Sequence, residues 1–234
     1  MELIKLTIDY VKVQYDPTTR PLTSYPDKLT KHLIKVHDFK KNQKLLEVGV
    51  GRPDMLLGFK RFGLNVQGCD KSVESMRICQ KNDIPFKLID FSQKKLPYKT
   101  GTFDIVYSKS VIEHMVDPLK FIMECRRVLK PGGKILTLTP DWNANYLTFF
   151  DDFTHVRPMT RRSMELILKV ADFHKINVYR FRQLPSTWNS SILNRLSAVI
   201  GFFVHPNVRK PFFRWSRELM LVGYGSKPSI KGKN

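Results

Sequence analysis

The stretch LLEVGVGRPDM, residues 45–55, runs a short apolar segment into a glycine turn, with an acid, Glu47, just before it. Gly49 and Gly51 let backbone approach a ligand closely, as a phosphate or nucleoside cradle requires. A dinucleotide fingerprint needs a third glycine so that helix and strand can pack under a pyrophosphate, and that position is Asp54. A Walker loop needs Gly-Lys-Ser/Thr, which does not follow. The turn therefore argues against NAD, FAD and a nucleoside triphosphate. Asp70 lies 19 residues past Gly51. A carboxylate at the tip of an adjacent strand can accept from both hydroxyls of a ribose; the plainer alternative is a helix-capping acid.

These residues need a frame that carries them to strand ends. From residue 28 onward helical and strand patterns alternate. Leu29, Leu33 and Val36 form a helical stripe, KLLEVGV at 44–50 is a buried-type strand, and a short helix with Leu56 and Leu57 ends at Gly63. The strand NVQGCD follows, then a helix capped by Ser72 with Val73, Met76 and Cys79 on one face, then strands at 86–90 and 102–109. Asp117 and Pro118 start a helix with Ile122, Cys125 and Leu129 inward, which Pro131, Gly132 and Gly133 break before the strand KILTLT. Thr160 caps a helix bearing Met164, Ile167, Leu168 and Ala171, and two late strands, HKINVYRF and ELMLVGY, suit an antiparallel edge pair. The implied fold class is α/β: a doubly wound, mostly parallel seven-stranded sheet with an antiparallel edge strand and ligands at the carboxyl ends of its strands. We expect one domain over residues 1–234, with an N-terminal extension and helix at 1–40 and an insert at 185–215.

Four motifs in order now make the turn specific. Glu47-Val-Gly49-Val-Gly51, Asp70 after the second strand, Asp90-Phe91 after the third, and LPYKTGTFDIVYSKSVIEHMVDP leading to Arg127-Val-Leu-Lys-Pro-Gly-Gly133 resemble a class I S-adenosylmethionine-dependent methyltransferase of the small-molecule or glycan type. The resemblance covers residues 45–139 and implies a Rossmann-like fold and S-adenosylmethionine as cofactor. It also implies that Glu47, Gly49, Gly51, Arg52, Asp70, Lys71, Asp90, Phe91 and Ser108 bind that cofactor. Asp90 would accept from the adenine amine and Phe91 cover the ring, although such a pair also serves as ordinary turn chemistry. Alternation along 103–108 brings Ser108 and Lys109 to the mouth. The departure lies at Arg52 and Pro53, where the family has a small residue and a glycine. Proline suits the first turn of a helix; Arg52 either pairs with the donor's carboxylate or points to solvent.

A sulfonium donor is already activated, so the protein aligns the nucleophile, and a hydroxyl nucleophile also needs a base. His155, in DDFTHVRPMT, and His114, after the fourth strand, are the candidate catalytic residues; each could instead be a hydrogen-bonded loop histidine. The stretch around His155 resembles a His-x-Arg-Pro segment of methyltransferases of glycan and other secondary biosynthesis. Asp151, Arg157, Trp142 and Tyr146 are the candidate substrate contacts, with Phe149, Phe150 and Phe153 as further aromatic wall. No Asn/Asp-Pro-Pro-Tyr/Phe turn of adenine amino methylation is present, and Cys125 sits mid-helix, unlike a cytosine methylase nucleophile. Oxygen of a glycan, lipid-linked or other small acceptor is the expected target. The alternatives are an RNA methyltransferase and a non-catalytic scaffold that lost the donor through Arg52 and Pro53.

Composition bounds the rest. The net charge is +19, and residues 174–234 hold eleven Lys and Arg against one acid, Glu218. Such a surface attracts polyanions. Residues 185–215 combine Ile192, Leu193, Leu196, Val199, Ile200, Phe203 and Val204 at helical spacing with VRKPFFRWSR, a composition that suits an anionic membrane surface, single-stranded RNA, or simply a core helix. Three cysteines, Cys69, Cys79 and Cys125, show neither disulfide nor zinc spacing, so no metal and a reducing cytoplasm are expected. The first sixteen residues lack a signal-type apolar run, and AVIGFFV at 198–204 is too short to span a bilayer, which indicates a soluble or peripheral protein. The polar tail GSKPSIKGKN reads as frayed.

Overall fold

Residues 8–92, 94–205, 208 and 210–229 are described in a computed structural model. Arg209, Lys231, Lys233 and half of the polar tail lie outside the described residues, as do Glu2 and Lys5. The chain divides into two units, one ending at Pro97 and the other starting at Tyr98.

The first unit carries helices α1 (Tyr10–Gln14), α2 (Tyr25–Val36), α3 (Asp54–Arg61) and α4 (Val73–Lys81), and strands β1 (Lys44–Val48), β2 (Asn65–Asp70) and β3 (Phe86–Leu88). The strands are parallel, in the order β3-β2-β1. Ser72 caps α4 by accepting from the Ser75 N–H. On α2 the buried set is Leu29, Thr30 and Leu33; Val36, at the last turn, is exposed. Val73 is exposed as well, because the first turn of α4 turns Ser72 and Ser75 inward, and Cys79 further along is buried.

The missing third glycine is compensated nearby. A Cβ on Gly68 of β2 would lie 2.7 Å from Val50 Cγ2 and 3.0 Å from Leu56 Cδ2, so the strand, not the helix, supplies the close helix–strand approach. Gly58 of α3 does the same toward α2, where a Cβ would meet Thr30 Oγ1 at 2.7 Å. Asp54 is thereby free to stand at the first turn of α3, with Pro53 at the cap.

The second unit carries β4 (Phe103–Lys109), α5 (Pro118–Val128), β5 (Leu129–Pro140), α6 (Trp142–Asn145), α7 (Arg161–Val170), β6 (His174–Arg182), α8 (Ser191–Phe203), α9 (Pro211–Arg217) and β7 (Leu219–Ser226). Its strand order is β4-β5-β7-β6, with β4 and β5 parallel and β7 antiparallel to both neighbours. The late antiparallel pair is present, and the antiparallel strand itself is the penultimate one, with β6 at the edge. Asp117 caps α5, and Thr160 forms a capping box with Ser163 on α7. Lys130 to Gly133 continue as strand, not as a break, with Gly132 in the left-handed region at φ +76°. Seven strands are therefore described, mostly parallel, in an α/β fold. Among the described residues no helix is long and apolar enough to cross a membrane.

Candidate functional site

In the first unit, β1 and β2 end side by side and deliver Glu47 and Asp70 to one end of the sheet, both buried. After β1 the chain turns through Gly49 at φ +76° and Gly51 at φ +53°, conformations that favour glycine. The Gly51 N–H donates to Asp70 Oδ2 at 2.9 Å, and the Ser72 N–H donates to Oδ1 at 2.9 Å. Burial pushes the Asp70 carboxyl up from its usual range, and these donors work against that rise. A carboxylate anchored by two backbone N–H groups presents its remaining lone pairs in a fixed direction.

An element the sequence pattern did not assign completes this end. The Tyr10 hydroxyl of α1 donates to both Asp70 oxygens, at 3.1 and 2.9 Å. Asp9 caps α1 through the Val11 N–H and accepts from the Ser72 hydroxyl at 2.7 Å. Tyr15 covers the turn: a Cβ on Gly51 would approach its hydroxyl to 3.1 Å. Ser75 donates to the Gly51 carbonyl at 2.5 Å. No short motif announces these contacts, because Asp9 and Tyr10 meet residues about sixty positions away.

The other donor-side residues divide. Arg52 donates from Nε to Asp54 at 2.6 Å and from Nη1 to the Arg20 carbonyl at 2.6 Å, with its guanidinium 5.2 Å from the Tyr15 ring centre. It is thus held at the turn by protein groups. Lys71 places its ammonium 5.7 Å from the Tyr10 ring centre. Asp90 accepts from the Ser92 N–H at 3.0 Å and from its hydroxyl at 2.5 Å, the turn chemistry that was the plainer alternative, with Phe91 half-buried beside it. Ser108, of the second unit, is buried and donates at 2.9 Å to Oγ1 of Thr137, its register partner on β5.

In the second unit the chain leaves β4 through Ser110 at φ +54° and forms a 3-10 turn, Ile112–His114. The loop after α6 returns to it: the Val156 and Arg157 N–H groups both donate to the Glu113 carbonyl at 2.9 Å, and Arg157 Nη2 donates to the Val116 carbonyl at 2.6 Å. His114 and His155 are thereby brought together, with ring centres 4.8 Å apart. His155 Nδ1 donates to the Phe149 carbonyl at 2.6 Å. A carbonyl only accepts, so the proton sits on Nδ1 and the Nε2 lone pair is the basic one. Asp152 Oδ2 lies 3.9 Å from that Nε2. His114 Nδ1 donates to the Thr154 carbonyl at 3.1 Å.

Trp142 contacts Phe149, Phe150 and Tyr146 at ring-centre distances of 5.3, 5.9 and 6.5 Å, and Phe149 packs on His155 at 4.5 Å. The aromatic group therefore both supports the histidine and leaves Tyr146, Phe150 and Phe153 exposed. Asp151 and Arg157 are exposed, so of the candidate substrate residues only Trp142 and Tyr146 join this group.

Glu113, adjacent to His114, escaped the sequence reading although an acid beside a histidine at a strand end was the available signal. Its side chain is buried and accepts from Thr139 Oγ1 at 2.9 Å, while Oε1 has no hydrogen-bond partner. Burial pushes its carboxyl up to about 7. Glu113, His114 and His155 each offer one ligand atom, all within 4.8 Å, a set chemically able to hold a divalent cation. Sequence spacing shows no such set because its members come from two separate loops.

Residues 46–137 match the protein family described as "Methyltransferase domain". That segment is a methyltransferase domain, and the strand order and glycine turn above fit the class I, S-adenosylmethionine-dependent type. Among its relatives, the chain is 30% identical over 149 residues to a demethylmenaquinone methyltransferase of Streptomyces avermitilis, covering 62% of this chain and 64% of that protein. It is 28% identical over 106 residues to a ubiquinone biosynthesis O-methyltransferase of Actinobacillus pleuropneumoniae, covering 42% of this chain and 45% of the relative. The chain thus spans less than two thirds of the length of these relatives. In fold it is similar to the Haemonchus contortus phosphoethanolamine N-methyltransferase 2 solved with S-adenosyl-L-methionine, at a TM-score of 0.62 and 19% identity, over 86% of this chain and 52% of the other.

Proposed function

We propose that the protein is an S-adenosylmethionine-dependent methyltransferase acting on an oxygen of a glycan, lipid-linked or other small acceptor. The observation that carries the reading is the buried Asp70 carboxylate at the tip of β2, bonded back to the Gly51 N–H across a turn whose two glycines adopt positive φ. Such a cradle suits an adenosyl group: Asp70 would hold ribose hydroxyls, the Gly49–Gly51 backbone would lie against the amino-acid portion, and Asp90 and Phe91 would flank the base. The bound donor supplies a methyl group on a positively charged sulfur, which leaves to a nucleophile without further activation.

The chain's own residues supply the acceptor side. His155, with its proton fixed on Nδ1 by the Phe149 carbonyl, is the base that takes the acceptor's hydroxyl proton at Nε2. Asp152 stabilises the resulting imidazolium, and His114, ring to ring with His155, is the second acceptor-side histidine. Trp142 and Tyr146 offer apolar faces for the acceptor, and Asp151 and Arg157 offer exposed charges around it. The names of the relatives include quinone-pathway methyltransferases, which is compatible with a lipid-linked acceptor. An anionic membrane surface in the cytoplasm completes the reading, because it would concentrate such acceptors near a basic chain.

The test is to incubate the protein and methyl-labelled donor with separate lipid, glycan, small-metabolite and RNA fractions, and to search by mass spectrometry for products heavier by one methyl. Labelled ether or ester products in the first three fractions are expected. Label confined to RNA, or to nitrogen, would contradict the acceptor assignment.

A further inference from the structure

Helix α8 is built the wrong way round for a helix that packs in a core. Of its thirteen residues, SILNRLSAVIGFF, the two that are buried are Ser197 and Gly201. Gly201 sits at the seam against α9, where a Cβ would lie 2.4 Å from the Ser216 carbonyl oxygen, so only glycine allows this close crossing. The apolar residues face outward instead: Phe202 is 85% exposed, Phe203 79% and Ile192 76%, with Leu196 and Val199 also exposed. On α9, Phe212 and Phe213 are exposed too. Ordinary helices bury that stripe and expose the polar one. A contiguous exposed apolar patch of this kind marks an interaction site.

Charge identifies the partner. Residues 191–217 contain five cations, Arg195, Arg209, Lys210, Arg214 and Arg217, and no Asp or Glu. Arg214 and Arg217 share Glu218 as ion-pair partner, whereas Arg195 and Lys210 are exposed. A second copy of the chain in an isologous contact would set this positive patch against itself. Single-stranded RNA would stack on the exposed phenylalanines, but the patch also exposes the aliphatic Ile192, Leu196 and Val199, on which no base stacks and which suit an acyl phase. A helix of this length is about 20 Å long and lies in a membrane interface rather than crossing it.

We infer that the α8–α9 face is a monotopic membrane anchor: Ile192, Leu196, Val199, Phe202 and Phe203 enter the acyl boundary of a bilayer while Arg195 and Lys210 meet anionic head groups. This rests on the membrane part of the reading above and assigns it to one face. It also explains why an aliphatic, acid-free hairpin interrupts β6 and β7, strands that could be joined by a short turn.

The experiment is vesicle co-sedimentation of the full chain. Vesicles of phosphatidylcholine alone are compared with vesicles containing about a quarter phosphatidylglycerol, as salt is raised. Binding to the anionic vesicles, weakened by salt, is expected. The double variant Phe202→Ser, Phe203→Ser should lose binding by about tenfold or more with an unchanged melting curve, since both rings are exposed. Arg195→Gln with Lys210→Gln should reduce binding and its salt dependence. Equal binding to neutral vesicles, or full anionic binding by the phenylalanine variant, would overturn the assignment. So would self-association, or RNA binding, abolished by the same pair. Donor calorimetry on the phenylalanine variant should match the parent chain, which separates failure of this face from failure of the methyltransferase reading.

Discussion

The glycine turn of the first unit and the histidine loop of the second answer different demands. The turn is built from buried groups and backbone: Gly51 and Ser72 donate N–H groups to Asp70, and two glycines take positive φ. The loop is built from side chains stacked on each other, Trp142 on Phe149 and Phe149 on His155, with exposed aromatics around them. A cradle for a constant ligand can be written in a few residue types at fixed spacing. A site for a variable acceptor is written in loop packing, which changes without disturbing the sheet.

The sharpest break in that contrast comes from His155→Ala. We expect turnover to fall by about a hundredfold or more while donor affinity stays within about twofold, because a general base contributes to the step and not to the donor's seat. Loss of donor affinity in step with turnover would merge the two regions.

Glu113 comes next. Its carboxyl is held up at about 7 against an ordinary value of 4.5. The folded state therefore keeps its proton while the unfolded chain ionises, so this contribution to stability is intact below pH 4.5 and lost as pH rises through 7. Glu113→Gln should flatten the stability profile in that window, an effect on the order of a few kcal/mol. Melting curves across pH check it, and an unchanged profile would remove the buried-acid account of this loop.

Smaller effects sharpen the donor side. Gly51→Ala places a Cβ 3.1 Å from the Tyr15 hydroxyl at φ +53°, and should destabilise the fold by about 1–2 kcal/mol while weakening donor binding. Tyr10→Phe removes a hydroxyl that donates to both Asp70 oxygens. If ribose hydroxyls take those oxygens, donor affinity should rise by about fivefold, the worth of one modest hydrogen bond. A fall in affinity would make Tyr10 part of the binding set.

Much of this frame was legible before any coordinates. Short apolar strand runs, the caps at Ser72, Asp117 and Thr160, and the order of the four motifs carry an α/β fold because each is a local rule. What was missed is non-local. Tyr10 meets Asp70 sixty residues on, Gly68 takes over the close packing that a third glycine at position 54 would give, and Glu113 stands out as an acid only once the 3-10 turn buries it. Ser108 is a different case: alternation marks its face of β4, and the structure shows the residue buried and bonded to its register partner Thr137 on β5. Periodicity cannot say whether a strand face meets ligand or protein. The outward apolar face of α8 is likewise invisible in a helical stripe, since the same spacing serves a core.

The most direct measurement is titration calorimetry of S-adenosylmethionine into the parent chain and into Asp70→Ala. One site per chain is predicted for the parent, and a loss of affinity by about a hundredfold or more for the variant, checked for folding by circular dichroism. No heat with the parent chain, or equal affinity in both, would contradict the claim that a strand-tip carboxylate and a two-glycine turn form the donor's seat.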